Sequence, residues 1–316
     1  MNKPAWMGLN APHLPVTDIH VGIVGVPYDG SVTHESGAAQ APGVLREISA
    51  DRWPVTENFV QLTRLKIRDF GDVTVDDDAF TTQKAVTAAV APIVKAGAVP
   101  LVLGGDHSIT SGVLKAFEPR KLGVLWVDSH PDLMDVYKGL KGKKESKWNH
   151  ACALRRISEL PHIDLENVLI CGVRDFIPEE LQFIQENHIE VIYAQDLHKM
   201  SVTSVGERIG QKFKNVPGIY ISFDIDVLDP AYAPGTGVPI PGGISSRFLL
   251  DLIFYLYKKE KEYLTGSSSH FLRIKGFDLV EIAPPLDVNC ITSFAGMSII
   301  MSVLGYICLQ EGLVDL

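Results

Sequence analysis

The sequence predicts an α/β protein, a mostly parallel sheet of about eight strands with helices on both faces. Three observations carry this reading. Strand-like runs and helical stretches alternate from one end of the 316-residue chain to the other. The joints between them are short, so successive strands connect through a helix laid over the sheet. Several of the runs are continuously apolar, as buried strands are.

In chain order the strand-like runs are 20–26, 66–71, 99–103, 122–127, 167–171, 190–193, 218–223 and 272–280. Helices fill several of the gaps. Pro42 sits near the first turn of a helix over 41–49. Asp78 caps a helix over 79–96, and Pro92 is expected to kink its last part. Pro178, with Glu179 and Glu180 behind it, opens a helix toward Asn187. Ser245 caps another over 246–257. The uncharged stretch 290–309 has the length of a membrane span. Serines, a threonine and glycines interrupt it and no basic cluster flanks it, so it is expected to be a buried core helix. Nothing resembles an interdomain linker or an internal repeat, and 1–316 is read as one domain.

Composition removes other options. Hydrophobic residues make up 46% of the chain, enough for a large core. The formal net charge of -9 disfavours nucleic acid and anionic membrane as partners. The four cysteines, Cys152, Cys171, Cys290 and Cys308, form no CxxC pair and read as reduced thiols of a cytoplasmic protein. The first six residues lack the apolar stretch of a signal peptide.

The chemistry lies where the apolar runs end. After 122–127 comes Asp128-Ser129-His130-Pro131-Asp132; after 218–223 come Asp224 and Asp226; after 99–103 comes Gly104-Gly105-Asp106-His107. Alternate residues of an extended segment face one way, so Asp128, His130 and Asp132 are expected to converge, as are Asp224 and Asp226. A lone Asp at a strand end is usually a turn former or a helix cap. Four carboxylates and two imidazoles at the ends of buried strands need cations instead. Strands about 5 Å apart suit two metals bridged at roughly 4 Å. Oxygen-rich donors with some imidazole and no thiolate favour manganese over structural zinc, magnesium or calcium. Two divalent ions balance four carboxylates, and a water between them would be strongly acidified. Two loops flank these strings. Residues 133–148 carry five lysines (Lys138, Lys141, Lys143, Lys144 and Lys147), read either as a solvated surface or as a lid favouring an anionic substrate end. Residues 229–243 are dense in Pro and Gly and are expected to form a stiff pocket wall.

Taken together, His107 in Gly-Gly-Asp-His-Ser, the Asp-x-His-x-Asp string, and Ser-Phe-Asp-x-Asp-x-Leu-Asp-Pro followed by Ala-Pro-Gly-Thr-Gly resemble the ureohydrolase family of arginase, agmatinase, formiminoglutamase and relatives. The likeness runs from about residue 20 to the C-terminal helix. It implies a three-layer α/β/α arginase-like fold, two Mn2+ per chain and hydrolysis of a guanidino or amidino C–N bond. It also implies a homotrimer or homohexamer. By position, His107, Asp128, Asp132 and Asp224 would hold one ion and Asp128, His130, Asp224 and Asp226 the other. His150 matches a proton-shuttling histidine, and Glu281 matches a glutamate that binds the guanidinium without holding metal. The mechanism implied is attack by the acidified water on the guanidinium carbon, with Asp132 taking a proton and Asp132 or His150 delivering one to the leaving amine. Arg155 and Arg156 read as structural, with bidentate pairing of either to a substrate carboxylate as the alternative.

The departures bear on substrate. Ser129 stands where Ala is usual, a small change. Met134 replaces the Asn that holds the α-carboxylate in arginase, and Ile177 stands where arginase has an acid near the α-amino group. A site without those partners rejects arginine. Glu281-Ile282-Ala283-Pro284-Pro285 resembles the agmatinase branch. Agmatine, guanidinobutyrate, guanidinopropionate and guanidine stay open as substrates, and nickel or cobalt as metals. Met134 speaks against formiminoglutamase. A silent regulatory oligomer and a one-zinc deacetylase are the readings from other classes. The six filled ligand positions weigh against the first, and metal counting separates the second.

Overall fold

The computed structural model describes residues 5–137, 145–266 and 272–314. Lys138, Lys141, Lys143 and Lys144 lie outside them, so the reading of the lysine-rich loop is left where the sequence puts it.

Eight strands build one sheet: β1 (Val21–Gly25), β2 (Ile67–Asp72), β3 (Val99–Leu103), β4 (Leu122–Val127), β5 (Ile163–Cys171), β6 (Glu190–Ile192), β7 (Ile219–Asp224) and β8 (Ile274–Val280). Their order is β2-β1-β3-β8-β7-β4-β5-β6, and every neighbouring pair is parallel. The strand expected at 167–171 begins at Ile163 instead, because its first half alternates between exposed Asp164 and Glu166 and more covered neighbours. That alternation hid it among polar residues.

The helices are α1 (Ala41–Ala50), α2 (Ala79–Ala96), α3 (Ile109–Lys115), α4 (Ala153–Ser158), α5 (Pro178–Glu186), α6 (Ala194–Leu197), α7 (Val202–Phe213), α8 (Ser246–Leu264) and α9 (Ile291–Gln310). Their starts follow local chemistry. Asp78 accepts the Thr81 amide at 2.8 Å and Ser245 accepts the Phe248 amide at 3.1 Å. Glu180 reaches back to the Ile177 amide at 3.0 Å at the head of α5. α2 continues through Pro92 to Ala96.

Side chains leave each strand alternately toward two cores. Leu125 and Val127 of β4 join α1, α7, α8 and α9 on one face, and Val124 and Trp126 join α2, α3, α4 and α5 on the other. This is the three-layer arrangement the resemblance implies. α9 is long and apolar enough to cross a membrane, but 72% of its most apolar stretch is buried within the protein, against α1, α8 and β8. The four central strands, β3, β8, β7 and β4, are contiguous. Their carboxyl ends carry His107, Glu281, Asp224 and Asp128 side by side, at the edge where open parallel sheets bind ligands.

Candidate metal centre and active site

His107 follows β3 after a tight backbone passage. A Cβ on Gly105 would stand 1.9 Å from the Tyr28 carbonyl oxygen, so only glycine fits there. The His107 ring stacks on Trp126 with centroids 4.0 Å apart. Its Nε2 lies 2.8 Å from Ser222 Oγ, and Ser222 donates its one proton to Asp278 Oδ1 at 2.7 Å. Ser222 therefore accepts from Nε2–H, which leaves the Nδ1 lone pair of a neutral ring pointing forward. That atom faces Asp128 Oδ2 at 3.0 Å, Asp224 Oδ2 at 3.1 Å and Asp132 Oδ2 at 3.3 Å. It is buried without a hydrogen-bond partner among the described residues. A lone pair aimed at three carboxylate oxygens is repulsive unless a cation lies between them, and a divalent ion fits the donor set.

Asp128 ends the buried strand β4 and is itself buried. Its Oδ2 accepts from Trp126 Nε1 at 2.9 Å and its Oδ1 from the His130 amide at 2.7 Å. His130 Nδ1 lies 3.2 Å from Asp226 Oδ2 and 3.5 Å from Asp128 Oδ1. Two donor sets result, His107–Asp128–Asp224 and Asp128–His130–Asp226, each with its atoms within 4.8 Å of one another and sharing Asp128. Ser129 is not neutral in this arrangement, for its Oγ stands 3.0 Å from His130 Nδ1.

The expectation that an extended backbone aligns these groups needs correction. β7 stops at Asp224, and Ile225–Val227 is a 3₁₀ turn that Asp224 caps by accepting the Asp226 amide at 2.8 Å. Asp132 has a left-handed backbone with φ 52°. A turn and a strained residue bring the second carboxylates round, because the chain must leave the sheet there to reach its next helix.

Glu281 follows β8, also at positive φ, 63°. Its Oε1 accepts from the His107 amide at 2.8 Å and from His150 Nδ1 at 2.9 Å. His150 opens a 3₁₀ turn ahead of α4, with Asn149 as its cap, and is buried. Arg155 packs over Phe183, and Arg156 pairs with Asp135 and Glu159. Neither lines the site.

The electrostatics describe a site short of positive charge. Burial, then repulsion from Asp226 and Asp128, pushes the Asp224 carboxyl well above its ordinary range. Burial and Asp128 push Asp132 up to about 6. Burial opposes charge on His107, yet the close carboxylates of Asp128, Asp132 and Asp224 outweigh it and favour the protonated imidazole as long as no cation lies between them. His130 behaves likewise, with Asp226 the leading counter-influence.

Several contributors were not singled out from the sequence. Asp278 lies within buried β8 and accepts Tyr220 Oη, Thr110 Oγ1 and Ser222 Oγ, each at 2.7 Å. An aspartate inside an apolar strand is the signal that could have found it. Asp106 holds Ser31 through the amide at 2.9 Å and the hydroxyl at 2.8 Å. Arg174 Nη2 donates to the Asp226 carbonyl at 2.6 Å and the Ile240 carbonyl at 2.7 Å, fastening the 229–243 loop beside the centre. Asp175 Oδ2 lies 3.7 Å from His130 Nε2.

One cavity of about 540 Å³ opens onto the centre. Its floor holds His107, His130, Asp132, Asp224, Asp226, His150 and Glu281. Its outer wall includes Met134, Phe176, Ile177, Val238 and Ile240.

Comparison with known proteins agrees with this geometry. A model of the Arginase family matches residues 19–305. The guanidinopropionase of Pseudomonas aeruginosa is 30% identical over 307 residues, 95% of this chain and 90% of that one. The agmatinase of Pyrococcus horikoshii is 29% identical over 94% of this chain and 95% of its own. The solved proclavaminate amidino hydrolase of Streptomyces clavuligerus superposes with a TM-score of 0.84 at 27% identity, covering 97% of each chain. With its sheet order, its carboxylate and imidazole cluster and a family match over most of its length, the chain belongs to the arginase family of ureohydrolases, hydrolases of C–N bonds.

Proposed function

We propose that the protein hydrolyses the guanidino C–N bond of a compound lacking arginine's α-amino and α-carboxylate groups, with agmatine foremost, and releases urea and an amine. The observation that carries this is the cavity. Its floor joins the donor cluster to Glu281, while Met134 and Ile177 sit in the wall where arginine's polar end would need partners. Among the described residues no Lys or Arg lines it, whereas Asp175 does, which suits a cationic tail.

Two manganese ions, held by His107, Asp128, Asp132, Asp224 and by Asp128, His130, Asp224, Asp226, would supply an acidified water and Lewis-acid polarisation. The chain's own groups do the rest. Glu281 accepts the N–H groups of the planar guanidinium and orients it. Asp132, with its carboxyl raised to about 6, is suited to take up a proton. Buried His150, tied to Glu281, is suited to hand one to the leaving amine. The apolar outer wall limits bulk water around these groups. Exposed Trp53, Phe59, Ile291 and Phe294 support assembly into a homotrimer or homohexamer, and the free cysteines suit a cytoplasmic setting.

The test is a urea-release screen over agmatine, guanidinobutyrate, guanidinopropionate, guanidine and arginine, repeated with manganese, nickel and cobalt. Agmatine with manganese is expected to lead. No urea from any of them with any metal would refute the reading. A guanidino acid is the second reading, favoured by the likeness to the Pseudomonas guanidinopropionase, and the same screen separates the two.

A further inference from the structure

We propose that Thr33 is the positioning partner of His150 and satisfies the imidazole in both of its protonation states. The inference rests on the role given to His150 above.

The His150 ring is buried, and both of its nitrogens are engaged. Nδ1 lies 2.9 Å from Glu281 Oε1. Among the described residues Nε2 is hydrogen-bonded to Thr33, whose amide nitrogen is 3.0 Å away and whose Oγ1 is 2.9 Å away. A backbone amide can only donate, so Nε2 presents its lone pair in this state. Nδ1 therefore carries the proton and donates it to Glu281. A proton arriving at Nε2 would lose the amide as a partner. The Thr33 hydroxyl, an acceptor as well as a donor, then takes the new N–H. One residue thus offers a donor to the neutral ring and an acceptor to the cation. An acid–base histidine needs this, since a state left unsatisfied when buried is a state the ring avoids.

The frame around Thr33 is built to hold it there. Asn149, next to His150, donates Nδ2–H to the Ser31 carbonyl at 2.5 Å. Ser31 is anchored to Asp106 by its amide and its hydroxyl. The loop bearing Thr33 is therefore fixed to the His150 segment and to the turn after β3 at once. The leading charged groups that act on His150 among the described residues are Glu281, Asp106 and Asp132, and none is altered by changing Thr33.

The experiment compares the metal-loaded wild-type chain with Thr33→Val, which keeps the amide and removes the acceptor, and with Thr33→Ser, which keeps both. Two readouts are taken: the pH dependence of urea release from agmatine, and the His150 titration followed by NMR of protein carrying 15N-labelled histidine. In Thr33→Val the His150 titration should fall by about one pH unit and kcat by about tenfold, the cost of a lost hydrogen bond to a charged group. KM, metal content and melting temperature should change little. Thr33→Ser should restore both readouts. An unmoved His150 titration in Thr33→Val, or valine and serine variants that behave alike, overturns the proposal. Should the wild-type chain release no urea from any guanidino compound, the proposed function falls, and the NMR titration still decides the role of Thr33.

Discussion

Replacing Glu281 by glutamine tests the guanidinium-binding role at its centre. Glu281 Oε1 already receives the His107 amide and His150 Nδ1, at 2.8 and 2.9 Å. The other oxygen, Oε2, lies toward Gly237 of the loop wall. In Glu281→Gln the amide oxygen can keep the first two contacts, because both are N–H donors. The NH2 group then replaces Oε2 and turns a donor toward the donors of the guanidinium. One pair of charge-assisted bonds is lost, a change of roughly 3 kcal/mol. That is about two orders of magnitude in kcat/KM. The metal donors are untouched, since Glu281 meets His107 through the backbone amide and not the ring. Urea-release kinetics with the preferred substrate, together with elemental analysis and a melting curve, make the measurement. Two metals per chain and an unchanged melt are expected beside the kinetic loss. Retained efficiency would show that the carboxylate does not face the guanidinium, and loss of metal would show that Glu281 belongs to the metal site.

Asp128→Asn and Asp224→Asn should each lose metal and activity together, because each would remove a ligand from both ions; full activity in Asp224→Asn, or one tightly bound zinc by elemental analysis, would end the dimetal reading. Arginine should be a far poorer substrate than agmatine, since Met134 and Ile177 leave its α-carboxylate and α-amino groups unpaired; comparable kcat/KM for the two would refute this. Glu260, remote from the centre, gives a pH-dependent stability. Its Oε2 accepts from Tyr306 Oη at 3.1 Å, and the same hydroxyl lies against the Leu272 carbonyl. Burial raises this carboxyl to about 7, against the opposing Tyr306 and Leu272 contacts. The folded state therefore binds the proton more tightly than the unfolded one. Stability should fall as pH rises from about 4.5 to about 7, by up to about 3 kcal/mol. Denaturant unfolding across that window should show the slope in wild type and a flatter line in Glu260→Gln.

What could be read from the sequence, and what could not, divides by distance along the chain. The ends of β3, β4 and β7 were legible because continuous apolar runs mark strands buried on both faces, and carboxylates directly after them are too costly to be incidental. Seven of the eight strands lie within about two residues of where the patterning puts them; β5 does not, because half of it is exposed and alternates. The geometry inside the motifs was less legible. Period-two alternation was the wrong mechanism for Asp226 and Asp132, since a 3₁₀ turn and a left-handed residue place them, and neither leaves a mark in the hydrophobic pattern. Least legible were the groups that decide what each ligand atom does. Asp278 directs Ser222 from 56 residues away, and Thr33 meets His150 from 117 residues away. These pairings depend on which strands become neighbours, which no local motif records. Yet they set the chemistry: the Ser222–Asp278 bond leaves the Nδ1 lone pair of His107 facing forward, and Thr33 keeps Nε2 of His150 open to a proton. The motif supplies the donor types, and the sheet order β3-β8-β7-β4 supplies the tautomers that make them usable.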